Sequence, residues 1–197
     1  GPLVTENLEV IGINYSAYST AQNVGYAIPI NYVKLVLDDM FTNNVIRNPV
    51  LGCSFNNTND SILKYTKLCK SGYYVSFVGP NSPMDKAGIK AGNIICSIDG
   101  KKLDNYGEIF MENNKSKFHI FDYLNYKKVG DKMELDVITL DGENYKMDKK
   151  TLVLEGQDYY KVRNKFVNYE TIDYQIIGGM VIMELADNHF SYFDIEK

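Results

Sequence analysis

The stretch SPMDKAGIKAGNIICSIDG, residues 82–100, decides the fold. Ser82 is a helix-capping residue type, Pro83 suits the first helical position, where its missing N–H would be unbonded anyway, and Gly88 suits the end of a short helix. Ile94-Ile95-Cys96-Ser97-Ile98 reads as an apolar strand, and Asp99-Gly100 as the tight turn that reverses the chain. Upstream, Val50-Leu51-Gly52-Cys53 places a glycine between apolar residues at the head of a strand. Such a segment bends where a side chain would clash and leaves backbone N–H groups free to hold an anion, for example the terminal carboxylate of a peptide.

Around this centre the order is readable. Residues 51–55 form a first strand, and Asn59 or Asp60 caps a short helix with Ile62, Leu63 and Leu68 turned inward. Residues 72–78 are rich in β-formers and end at Gly79-Pro80. Residues 104–118, with the polar centre Glu112-Asn113-Asn114-Lys115, read as a long surface loop of the kind that can carry a docking role. Residues 119–128 are helical, Val129-Gly130-Asp131 stops them, and 132–139 with 143–147 make a hairpin around Leu140-Asp141-Gly142.

The flanks differ in character. At the start, 8–15 and 25–30 read as strands, followed by a helix capped by Asn31 with Val33, Val36, Leu37, Met40 and Phe41 on one face. Two strands and a helix cannot bury themselves, so this segment belongs to a larger domain. Residues 42–49 form a linker, with the boundary near Asn44. At the other end, 151–156 continue a strand, and Tyr174 to Met183 is an apolar run broken by Gly178-Gly179, which means two short strands or one bulged strand.

Composition bounds the function. With 45% hydrophobic and 23% charged residues the chain is of folded, soluble type. A net charge of -4, with cations scattered among anions, argues against nucleic acid or an anionic membrane as partner. No apolar run is long enough to span a bilayer. Cys53, Cys69 and Cys96 are odd in number and lack CxxC spacing, so they read as buried free thiols, neither metal ligands nor nucleophiles, which favours an intracellular site in an otherwise unknown compartment. His119 and His189 are the two histidines, and each reads as structural or surface-lying. No cofactor or metal is expected, and no catalytic residue.

The string at 82–100 with the VLGC loop resembles the permuted PDZ domain of the HtrA/Deg proteases, and GYAIP with its following helix resembles the close of their chymotrypsin-like domain. PVLGCSF, the long segment before FDYL, and YQIIGGMVIMEL look like the eukaryotic Deg branch, in which a degenerate second PDZ-like domain follows the first. The resemblance implies a mainly β architecture with short helices. Residues 1–44 would be the C-terminal strands and helix of the protease β-barrel, 45–154 a PDZ domain, and 155–197 the start of a second PDZ-like domain. It places the nucleophilic serine just before residue 1, with Gly1-Pro2 either the end of its motif or a scar of tag removal.

The resemblance also assigns sites. The amides of Leu51, Gly52 and Cys53 would hold the carboxylate, with Phe55 along the ligand and Ile120, Tyr123 and Leu124 as side-pocket residues. Tyr15, Ser16, Ala17, Val24, Gly25 and Tyr26 would belong to the substrate-pocket wall of the protease domain. The implied function is the substrate-recruiting PDZ portion of an ATP-independent quality-control serine endopeptidase. By itself this chain would bind peptides or unfolded C-termini without cleaving them, and it would oligomerise through the protease domain. The alternative is a PDZ-based scaffold or oligomerisation module of a pseudoprotease.

Overall fold

The opening residues pair into a three-stranded antiparallel sheet in the computed structural model, which describes residues 1–17, 25–43, 45–111, 115–141, 144–156 and 162–192. Its strands, in order, are β1 (Pro2–Val4), β2 (Val10–Ala17) and β3 (Gly25–Pro29). Gly12 is buried in β2, and a Cβ there would meet the Ile28 carbonyl oxygen at 2.9 Å, so the close approach of β3 requires glycine. Helix α1 (Ile30–Thr42) follows without a side-chain cap. It starts one residue before the expected Asn31 cap, since Pro29, with φ near -62° and ψ near 137°, occupies the cap position itself. None of its residues is buried, and Phe41 is 83% exposed. This unit, residues 1–46, is separate from the second, 47–197.

In the second unit, β4 (Cys53–Asn56) leads to α2 (Asp60–Thr66), whose cap Asn59 accepts the Ser61 N–H at 2.8 Å. Only Leu63 of the expected inward trio is buried; Ile62, one residue away, points about 100° off that face, and Leu68 lies past the Lys67 C-cap, so both stay exposed. Strand β5 (Tyr73–Val78) precedes α3 (Pro83–Lys86), where the Ser82 hydroxyl accepts the Asp85 N–H at 3.2 Å. Then come β6 (Ile94–Ile98) and β7 (Lys101–Lys102), joined by Asp99-Gly100 with φ of 49° and 74°.

Residues 104–118 are not one long loop. They contain β8 (Glu108–Met111) and β9 (Ser116–His119), an antiparallel hairpin whose Ile109 is buried and bridged to Leu103. The Asp104 carboxylate ties its base by accepting the N–H groups of Tyr106 and Glu108, each at 2.9 Å, and pairing with Lys117 at 2.8 Å. The helix expected over 119–128 contracts to α4 (Ile120–Leu124).

Strands β10 (Lys132–Asp141) and β11 (Asn144–Val153) form the long hairpin and complete a sheet ordered β11-β10-β6-β5-β4, with β7 beside β6. After it, β12 (Tyr174–Ile177) and β13 (Met180–Met183) turn at Gly178-Gly179, so the apolar run is two strands, and α5 (Asp187–Phe190) follows. Glu170 accepts both guanidinium nitrogens of Arg163 and pairs with Arg47, which with the Phe166 N–H holds its carboxyl down at about 2.

The core lies on one face of the large sheet, where Leu51, Val75, Ile95, Ile98 and Leu135 pack against Met84, Ile89, Ile120 and Leu124. Each such fully buried side chain contributes about 1.5–3 kcal/mol. Alternation along β6 puts Ile94 and Cys96 on the other face, where they join Leu63 and Ile138 in a smaller cluster, and a pairing irregularity opposite Asp136 and Val137, which skips Cys96, returns Ile98 to the face of Ile95. There Cys69 and Cys96 form a disulfide, which corrects the reading of three free thiols and removes its argument for a reducing compartment; Cys53 alone is free. Their pairing spans 27 residues and depends on the α2–β5 connection folding onto β6.

Candidate functional site

The loop at 50–53 is built around asymmetric backbone bonding. The Leu51 carbonyl accepts the Met84 N–H at 3.2 Å and the Gly52 carbonyl accepts the Gly79 N–H at 2.8 Å, so both oxygens are tied inward. Among the described residues, the N–H groups of Leu51 and Gly52 donate to nothing. Gly52 has φ of 73°, a conformation that glycine adopts without strain and that turns successive amides to one side. The result is a concentration of uncompensated N–H dipoles at the head of β4, suited to an anion.

Strand β4 is the edge of its sheet. The other edge, β11, carries Lys146, Lys149 and Lys150, charges that discourage strand addition, whereas β4 reads Cys-Ser-Phe-Asn and has none. Its outer backbone row is therefore a template for one more strand. The Cys53 thiol is no nucleophile: burial pushes it up to about 12.

Across from β4 stands α4, and its phase differs from expectation. Ile120, Tyr123 and Leu124 were candidate pocket residues, yet all three belong to the core, with Ile120 fully buried. Spacing i, i+3, i+4 puts them on one stripe, and that stripe faces the sheet. Phe121, 46% exposed, is the α4 side chain that meets the strand, edge-on to Phe55 at 6.1 Å. Phe55 stacks on Tyr73 at 4.7 Å, and His119 stands between Tyr73 and Phe121 at 5.8 and 5.2 Å. Gly107 makes room for this cluster, since a Cβ there would lie 2.5 Å from the Tyr73 ring.

Both histidines are engaged in capping. Nδ1 of His119 accepts the Phe121 N–H at 3.4 Å, and Nδ1 of His189 accepts the Ala186 N–H at 2.8 Å. Tyr123 serves as a latch: its hydroxyl donates to Asp99 at 2.8 Å, while Lys127 pairs with the same carboxylate at 2.7 Å and lies 5.3 Å over the Tyr123 ring. Burial works to raise the Asp99 carboxyl, but the hydrogen bonds from Lys127, the Glu134 N–H and Tyr123 outweigh it and hold it low.

In the first unit, Tyr15 and Tyr26 are 76% and 55% exposed, and Ser16 and Gly25 lie beside them on β2 and β3. Val24 and the side chain of Ala17 lie outside the described residues.

A PDZ domain family model matches residues 49–151. The periplasmic serine endoprotease DegP of Escherichia coli is 35% identical over 113 residues, covering 55% of this chain and 24% of that protein. The serine protease Do-like HtrB of Bacillus subtilis is 30% identical over 150 residues, covering 70% and 30%. This chain thus spans less than a third of the length of these relatives. Among solved structures, the HtrA-type protease AlgW with a decapeptide matches at a TM-score of 0.53 with 19% identity, over 80% of this chain and 45% of that one, a likeness of fold.

Proposed function

Since the chain belongs to the PDZ domain family, its PDZ region homologous to those of the DegP and HtrA serine proteases, we propose that β4 takes the C-terminal end of a polypeptide as an added strand. The ligand carboxylate sits on the amides of Leu51, Gly52 and Cys53, its last residues run along Phe55, and Phe121 with His119 forms the facing wall. The observation that carries this reading is the pair of unbonded amides at Leu51 and Gly52, whose carbonyls are both tied.

The wider role is substrate recruitment for an ATP-independent serine endopeptidase of protein quality control, acting by acyl transfer through a serine with an oxyanion hole of backbone amides. Residues 1–44 then form the close of the protease domain, with Tyr15, Ser16, Ala17, Val24, Gly25 and Tyr26 at its substrate pocket. Residues 155–197 open a second PDZ-like domain, whose exposed β12 and β13 side chains the rest of that domain covers. Assembly runs through the protease domain.

The test is fluorescence anisotropy with an array of labelled decapeptides, each made with a free and an amidated C-terminus. Free-acid forms should bind about tenfold or more tightly than their amides, the loss expected when a charge-assisted contact to the amides goes. Equal binding of the two forms would refute the carboxylate site.

A further inference from the structure

On the sheet face away from α4, the connection from α2 to β5 borders two adjoining hollows. One, of about 520 Å³, is lined by Lys64, Lys67 and Lys70 over Leu63 and Leu68, with Asp60 at its side. The second, of about 410 Å³, shares Leu68, Cys69 and Lys70 and adds Lys102, Ser97, Asp136 and Met147. The floor is apolar: Leu68 and Met147 are each 38% exposed, and the Cys69–Cys96 disulfide lies between the hollows. The rim is cationic.

That rim gathers four lysines in a chain of net charge -4. Several cations elsewhere pair with carboxylates: Lys86 with Glu155, Lys117 with Asp104 and Glu108, Lys127 with Asp99, Lys165 with Glu184, and both Arg47 and Arg163 with Glu170. Among the described residues, Lys64, Lys67, Lys70 and Lys102 form no ion pair. The two carboxylates at the rim are turned to neutral donors, Asp60 to the Asn105 amide at 2.8 Å and Asp136 to the Ser97 hydroxyl at 2.5 Å. Four cations around a concave, half-exposed apolar floor repel one another, and an anion bearing apolar groups relieves that repulsion while covering Leu68 and Met147.

From this charge and shape complementarity we infer that the Lys64/Lys67/Lys70/Lys102 hollows bind an acidic polypeptide segment that carries bulky apolar side chains. This surface lies on the opposite face of the sheet from α4, so it adds a second contact for a polypeptide whose C-terminus occupies β4, and it stands or falls independently of that groove.

The probe is a fluorescein-labelled peptide of about ten residues alternating Glu and Leu, amidated so that it lacks the carboxylate the β4 loop would take, titrated with the 197-residue chain by anisotropy. Binding should weaken about tenfold or more in Lys64→Glu/Lys67→Glu/Lys70→Glu and weaken again as salt rises past about 0.15 M. The equal charge reversal Lys34→Glu/Lys90→Glu/Lys132→Glu should leave it within about twofold. A glutamine version of the rim triple, whose fold is checked by circular dichroism, should show the same order of loss, since surface substitutions cost about 0.5 kcal/mol or less. Equal loss in both reversals, undiminished binding when Leu is replaced by Ser in the probe, absence of binding, or binding of polyphosphate or phosphatidylserine vesicles in place of the peptide would each overturn the assignment.

Discussion

Asp99→Asn isolates the latch that holds α4 to the sheet. Residue 99 has φ of 49°, a conformation asparagine adopts as readily as aspartate, so the turn itself is unchanged. The asparagine carbonyl oxygen can keep the Glu134 N–H, now at 2.9 Å, but its neutral amide nitrogen then faces the Lys127 ammonium, a donor only, and the Tyr123 hydroxyl, which can at best accept an uncharged bond from it. Two charge-assisted contacts are lost. Such bonds are worth about 1.5–3 kcal/mol each when shielded, and with Asp99 and Lys127 side chains 20% and 21% exposed, part of that is screened. We take the net cost as about 2 kcal/mol.

For a unit of about 150 residues this is a fall of about 4–8 °C in melting temperature. The pH dependence supplies the sharper check. Because the folded Asp99 carboxyl is held below its unfolded value of about 3.9, its stabilisation is fully present above that pH and is lost as pH falls through the folded value. Urea unfolding of both proteins from pH 7 down to about 3 should therefore show the gap narrowing toward the acid end. A difference under about 1 °C at neutral pH, or one that stays constant in acid, would refute the latch.

Three further outcomes follow from the same geometry. Cys69→Ser/Cys96→Ser should lose about 3.5 kcal/mol by the loop-entropy relation for a 27-residue separation, read as a lower urea midpoint, while the unmodified chain should resist alkylation at these two sulfurs until reduced. Gly107→Ala should cost about 3 kcal/mol, because φ of 80° disfavours a side chain and the Tyr73 ring, stacked on Phe55, cannot recede from the new methyl. Phe121→Ala should lower affinity for a C-terminal peptide about fivefold or more while costing only about 1 kcal/mol of stability, its ring being half exposed.

Much of the sheet was legible because its signals are local. Ser82, Pro83 and the Asp99-Gly100 turn bracket α3 and β6 within twenty residues, and each acts on its own neighbours. The β8–β9 hairpin was not legible, since its identity rests on Leu103 meeting Ile109 and on the Ile120 N–H reaching the Gly107 carbonyl, contacts that no local pattern announces. Helix α4 is too short for its period to be read against both faces. Five residues hold a single apolar stripe, and only the packed structure shows that Ile120, Tyr123 and Leu124 face the sheet and Phe121 the strand. The disulfide failed for the same reason as the hairpin: Cys69 and Cys96 meet only when the α2–β5 connection folds onto the face of β6 that Cys96 shares with Ile94.

The division of α4 into a core stripe, a latch and a wall determines how the two variants should part. A five-residue helix has no stability of its own in water, so α4 is held by what it packs against. Ile120 and Leu124 supply about 1.5–3 kcal/mol each, leaving α4 docked in most molecules even after the latch is removed. Affinity falls only by the fraction of molecules that lose the competent conformation, so Asp99→Asn should change peptide affinity less than about twofold despite its larger stability loss. Phe121→Ala should do the reverse, since the helix stays docked and the wall is gone. If both variants lost affinity in proportion to stability, α4 would be a marginal element that the peptide itself orders, and the groove would be formed on binding instead of beforehand.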